Sequence, residues 1–126
     1  MSKRGIVLIV DDNALNRVPL KYLLEKEGFE VYEASDGIEA LDCVMSHNPK
    51  VILLDIMMPN FNGHQVLTVL KSFTETQDIR VAFMSCKEPE FILSKELIVE
   101  NAADEYFVKP ISLVKVLDWV CQQFIP

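Results

Sequence analysis

Short apolar runs alternate with longer stretches of helical periodicity along the chain. Ile6–Val10 and Val51–Leu54 are continuous apolar runs, the pattern of strands buried on both faces. Phe29–Ala34 alternates more, which suits an edge strand. Arg80–Met84 reads as a fourth strand ending at Ser85, and Tyr106–Val108 as a fifth before Lys109-Pro110. Helix signals fill the intervals. Asn13 can cap a helix running to about Lys26, and Gly28 sits where a helix stop belongs. Asp36 can cap a second helix to about Ser46, before Asn48-Pro49 breaks the chain. Asn62-Gly63 opens a third to about Phe73. Pro89 fits the first turn of a fourth, to about Asn101, and Ser112 can cap the last, to about Phe124.

The order is βα repeated five times, which predicts an α/β fold: a doubly wound, five-stranded parallel sheet with helices on both faces. Such sheets bind ligands beyond the carboxyl ends of their strands, where the strand order reverses. Asp11 and Asp12 follow the first strand, Asp55 ends the third, Ser85 the fourth, and Lys109 follows the fifth. All five emerge at one edge of the sheet. With strand order 2-1-3-4-5, the first and third strands flank the reversal, and Asp11, Asp12 and Asp55 meet there.

Composition narrows the chemistry. The 126 residues suit a single domain spanning 1–126, and half of them are hydrophobic, enough for a packed core. A net charge of −7 argues against binding nucleic acid or an anionic membrane, which needs clustered Lys and Arg. Only Ile6–Val10 resembles the apolar part of a signal peptide, and it is too short; no run approaches the ~20 apolar residues of a bilayer span. Cys43, Cys86 and Cys121 form no close pair, which argues for a reducing, cytoplasmic setting rather than disulfides or zinc. His47 and His64 stand alone and are expected at the surface.

Three carboxylates in one pocket either take up protons or bind a cation. Mg²⁺ prefers oxygen ligands and typically takes one or two carboxylates with several waters, so Asp12 and Asp55, with Asp11 behind them, form a reasonable Mg²⁺ site. Lys109 adds positive charge, Ser85 offers a hydroxyl to a phosphoryl oxygen, and a carboxylate can attack phosphorus. Taken singly, each residue has a plainer reading: a turn at Asp11-Asp12, a capped turn at Asp55, a loop at Lys109-Pro110. Their joint placement at the ends of four strands makes coincidence improbable.

These residues resemble the receiver domains of two-component response regulators. The resemblance runs from about Ile6 to Phe124. It is carried by Val7-Leu8-Ile9-Val10-Asp11-Asp12-Asn13 with Arg17, Asp55-Ile56-Met57-Met58-Pro59 with Gly63, Ser85, and Asp104-Glu105-Tyr106-Phe107-Val108-Lys109-Pro110. It implies a flavodoxin-like (βα)5 fold in the order 2-1-3-4-5. It also implies that Asp55 accepts a phosphoryl group from a sensor histidine kinase or phosphotransfer protein. Asp12, Asp55, the Met57 carbonyl and, through water, Asp11 would hold Mg²⁺. Lys109 would pair with the phosphoryl group, and Ser85 and Tyr106 would move in response. The Lys109-Pro110 bond is expected to be cis. Such a protein catalyses only its own aspartyl phosphorylation and dephosphorylation and is not otherwise an enzyme. The alternative is a receiver-fold interaction module that is never phosphorylated.

Three departures from the family pattern stand out. Cys86 occupies a position usually held by Ala or Gly, and either slows water access to the phosphoryl group or simply packs as a small hydrophobe. Pro19 falls inside the first helix and is expected to bend it or shift its start. Ala102 replaces a common glycine.

The output surface is expected on the fourth helix, fifth strand and fifth helix. The wheel of the last helix places Leu113, Leu117, Val120 and Phe124 in the core and leaves Val116 and Trp119 outside. Trp119 is then either a partner anchor or a cover over the core rim. On the fourth helix, Ile92, Lys95 and Val99 form an outward stripe, because lysine is rarely buried unpaired. With Tyr106 these residues would contact a downstream protein target or a homodimer partner.

Overall fold

The computed structural model describes residues 4–59, 61–86 and 103–125. The predicted helix from Pro89 to about Asn101, with Ile92, Lys95, Val99 and the substitution at Ala102, lies outside the described residues.

Five strands, Ile6–Val10 (β1), Glu30–Ala34 (β2), Val51–Asp55 (β3), Arg80–Ser85 (β4) and Glu105–Val108 (β5), pair in the order β2-β1-β3-β4-β5. Every neighbouring pair is parallel. The order reverses between β1 and β3, as predicted, and the more alternating segment, β2, lies at an edge. Four helices are described: Ala14–Lys26 (α1), Gly37–His47 (α2), Gly63–Lys71 (α3) and Leu113–Gln122 (α4).

The two-residue period of the strands divides the core. Leu8, Val10, Ile52, Leu54 and Phe83 point into the layer containing α2 and α3. Val7, Ile9, Val51, Leu53 and Met84 point into the layer containing Leu20 and Leu24 of α1 and Val116 and Val120 of α4. This explains why β1 and β3 read as unbroken apolar runs: both faces are covered.

The helix starts follow their caps. Asn13 accepts from the Leu15 N–H, Asp36 from Glu39 and Ser112 from Lys115. At α3 the capping is reciprocal: Asn62 Oδ1 accepts from Gln65 N at 3.0 Å, and Gln65 Oε1 from Asn62 N at 2.8 Å. Pro19 does not move the start of α1, which runs through it from Ala14 with the proline on its exposed side. At the amino end of β1, the Phe124 ring covers Gly5 so closely that an added Cβ would lie 2.2 Å from it.

The structure corrects the predicted face of the last helix. Val116 is fully buried, and Leu113, assigned to the core, is 37% exposed. Trp119 is half-buried against the α1 layer, its ring 6.2 Å from that of Phe107. Apolar residues cover most of α4, so its wheel offers no sharp boundary. The short β-branched Val116 and Val120 take the closest approach to the sheet, and the buried arc turns by roughly half a residue step toward Trp119. Val116 is therefore closed off from the surface, contrary to its predicted outward position, and Trp119 is partly packed against the core rim.

Candidate functional site

The carboxyl ends of β1 and β3 bring three acids together. Oxygens of Asp11, Asp12 and Asp55 all lie within 4.8 Å of one another. Asp11 and Asp55 are buried, Asp12 exposed.

The three are held very differently. Asp11 is almost fully committed: its Oδ1 accepts from Asn13 N at 2.9 Å and Asn16 Nδ2 at 3.3 Å, and its Oδ2 from Lys109 Nζ at 2.8 Å. Among the described residues, Asp55 accepts from Met57 N, at 3.1 Å, and Lys109 Nζ lies 3.6 Å away. Among the described residues, no hydrogen bond reaches the Asp12 carboxylate.

The electrostatics follow. Burial is the main force raising the Asp55 carboxyl from 3.8 to about 6; Lys109 and the Met57 N–H work against it, while Asp11 and Asp12 add to it. Burial alone would depress Lys109, but the hydrogen bond to Asp11 and the attraction of Asp55 and Asp11 prevail and raise it. The pocket therefore carries more negative charge than its own cation neutralises.

The turn after β3 forms the other wall. Ile56 N donates to Met84 O, and Gly63 N donates to Ile56 O. A Cβ on Gly63 would stand 2.8 Å from both the Asp55 carbonyl and the Ile56 Cα, so only glycine lets α3 begin against this turn. Ser85 is buried at the end of β4, and Lys109 N donates to Ser85 O at 2.7 Å. Cys86 follows as an exposed residue, which removes the reading that it packs in the core. The Lys109-Pro110 bond is cis. Tyr106 is half-buried, its ring 5.5 Å from that of Phe83 and tilted 65° to it.

The structure thus assembles Asp11, Asp12, Asp55, Ser85 and Lys109 at one edge. Sequence reasoning missed Asn16, whose position one helical turn after Asn13 on the capped start of α1 was the available signal. It also missed Glu33, which binds Arg17 from β2.

The sequence model of the family described as "Response regulator receiver domain" matches residues 7–120. The transcriptional regulatory protein SrrA of Staphylococcus aureus is 41% identical over 106 residues, covering 84% of this chain and 42% of SrrA. The chain thus spans less than half the length of that curated relative. The signal receiver domain of a signal transduction histidine kinase from Syntrophus aciditrophicus superposes with a TM-score of 0.83 at 26% identity, covering 95% of this chain and 89% of that one. The chemotaxis response regulator CheY4 of Vibrio cholerae gives a TM-score of 0.83 at 24% identity, covering 94% and 98%, a likeness of fold.

Proposed function

The chain belongs to the response regulator receiver family of two-component signalling, and from that premise we propose that it is switched by a phosphoryl group accepted on Asp55. The observation that carries this reading is the contrast between two buried acids. Among the described residues, Asp11 is bonded on both oxygens, while Asp55 is bonded on one and faces Asp12 across the pocket.

An all-oxygen donor set with surplus negative charge fits a hard divalent cation. Asp12, Asp55 and the Met57 carbonyl would hold Mg²⁺, with Asp11 acting through water. When bound, the ion offsets the repulsion between the carboxylates and an incoming phosphoryl group. The residues of the chain do the rest. An Asp55 oxygen attacks phosphorus, an O–P bond forms, and the P–N bond to a donor histidine breaks, its electron pair returning to the imidazole. Lys109, whose ammonium stands 3.6 Å from Asp55, is close enough to pair with a phosphoryl group carried there. Ser85 would donate its hydroxyl to the same group, and Tyr106 would respond behind it. The new charge would bias a two-state surface, expected on the sequence-predicted helix after Pro89, β5 and the last helix, for a downstream protein or a second copy. No described helix is long and apolar enough to cross a membrane; we place the protein in the cytoplasm, where a kinase's phosphohistidine is available.

Intact-mass measurement after incubation with acetyl phosphate, with and without Mg²⁺, tests this on the wild type and Asp55→Asn. The expected result is one added phosphoryl group that requires both the ion and Asp55. An unphosphorylated interaction module would gain none from acetyl phosphate or from a phosphohistidine donor.

A further inference from the structure

Asp12 has no hydrogen-bonding partner of its own among the described residues, so its position depends on the backbone that carries it. That backbone is tied at two points. Asp11 N donates to Ala34 O of β2 at 3.1 Å, and Asp11 O accepts from Arg17 Nη1. The second tie fixes the plane of the Asp11–Asp12 peptide and thereby the direction in which Asp12 leaves the chain. The Arg17 side chain is 16% exposed and is itself held: its Nε donates to Glu33 Oε1 at 3.1 Å, while Lys21 Nζ lies 3.2 Å from Glu33 Oε2.

We infer that Glu33, on the edge strand β2 and outside the acid pocket, is a positioning residue that orients Asp12 through Arg17. Only a guanidinium serves as the link, because one nitrogen must face the carbonyl while another faces the carboxylate. A lysine presents a single point charge and cannot span both. Lys21 keeps Glu33 in place by occupying its second oxygen. Burial raises the Glu33 carboxyl, but the hydrogen bonds and charges of Arg17 and Lys21 prevail and lower it. The function assigned to this arrangement, setting metal affinity, rests on the Mg²⁺ reading above; the structural link itself does not.

The test has two readouts on the full chain. In metal-free buffer, amide exchange is followed at Asn13, whose N–H is bonded to Asp11 Oδ1. Glu33→Ala and Arg17→Lys are each expected to speed this exchange several-fold with melting still cooperative. Unchanged exchange in both would overturn the inference whether or not Mg²⁺ binds. In Mg²⁺ titrations, each variant is expected to weaken binding by about tenfold, the usual cost of removing a partner that orients a metal ligand. The double variant should be no worse than Arg17→Lys alone. Multiplying losses would mean that Glu33 acts by its charge at a distance and would overturn the inference. A wild type that binds no Mg²⁺ would sink the proposed function, and the exchange result would still decide the role of Glu33. Glu33→Gln, which keeps an acceptor for Arg17, replaces Glu33→Ala if the latter does not fold, with a smaller change in the same direction.

Discussion

Lys109 is bonded to Asp11 rather than to Asp55: its ammonium lies 2.8 Å from the first carboxylate and 3.6 Å from the second. The cation shared by the pocket thus rests against an acid that is fully buried and already has two other donors. Lys109→Met should leave Asp11 without its cation. In the absence of metal this is expected to cost about 1–3 kcal/mol, below the 3–5 typical of a broken buried pair because Lys109 is partly exposed. The same change removes a charge competing with the ion, so Mg²⁺ should bind more tightly. Urea unfolding with EDTA and a Mg²⁺ titration check the two signs.

Asp55 should make the metal-free protein less stable as pH rises. Its carboxyl titrates at about 6 in the fold against 3.8 ordinarily. The neutral form is therefore favoured by folding. The resulting stability is fully present below about pH 4 and is lost as pH rises through about 6. Asp55→Asn escapes that loss and can still accept from Met57 N. It should be more stable than wild type at pH 8 in EDTA by up to about 3 kcal/mol, and the gap should close near pH 4. Denaturant unfolding of both proteins at pH 4, 6 and 8 measures it; a constant gap would refute the assignment.

Gly63→Ala should damage the pocket from behind. The new methyl would meet backbone of Asp55 and Ile56, not the flexible end of a side chain. A shift of the turn is required, at an expected cost of about 1–3 kcal/mol. Phosphoryl uptake from acetyl phosphate should fall more than the melting temperature alone would suggest, because the displaced turn carries Asp55.

On α4, Val116→Ala should destabilise the fold by about 1–2 kcal/mol by removing fully buried apolar surface. Trp119→Ala should also lower the melting temperature, since its ring covers core residues and faces Phe107. A Trp119→Ala protein that melted like wild type but failed to bind a partner would restore its role as an exposed anchor.

How far the sequence could be read depended on the range of the forces involved. Strands β1 and β3 were legible because burial on both faces leaves no polar position to confuse the pattern. The caps at Asn13, Asp36, Asn62 and Ser112 were legible because each acts on a donor within three residues. The acid edge was legible because a parallel sheet sends every strand end the same way. The buried face of α4 was not, because nearly every position facing inward or sideways is apolar and only packing selects among them. The bond from Lys109 to Asp11 joins residues 98 positions apart, and no local pattern encodes which acid is nearer. The tie from Glu33 to Arg17 likewise exists only once β2 lies beside β1.

The ring of Phe124 on Gly5 has a practical consequence. These two residues sit at the amino end of β1, whereas Asp11 follows its carboxyl end, so the strand's five residues, about 17 Å of rise, separate them from the acid pocket. A thiol-directed dye or surface linker on an Ile125→Cys, Cys86→Ala variant would be anchored on the far rim of the sheet, since position 125 is 68% exposed. An immobilised or labelled form of the protein can therefore be assayed with its acid edge facing free solution.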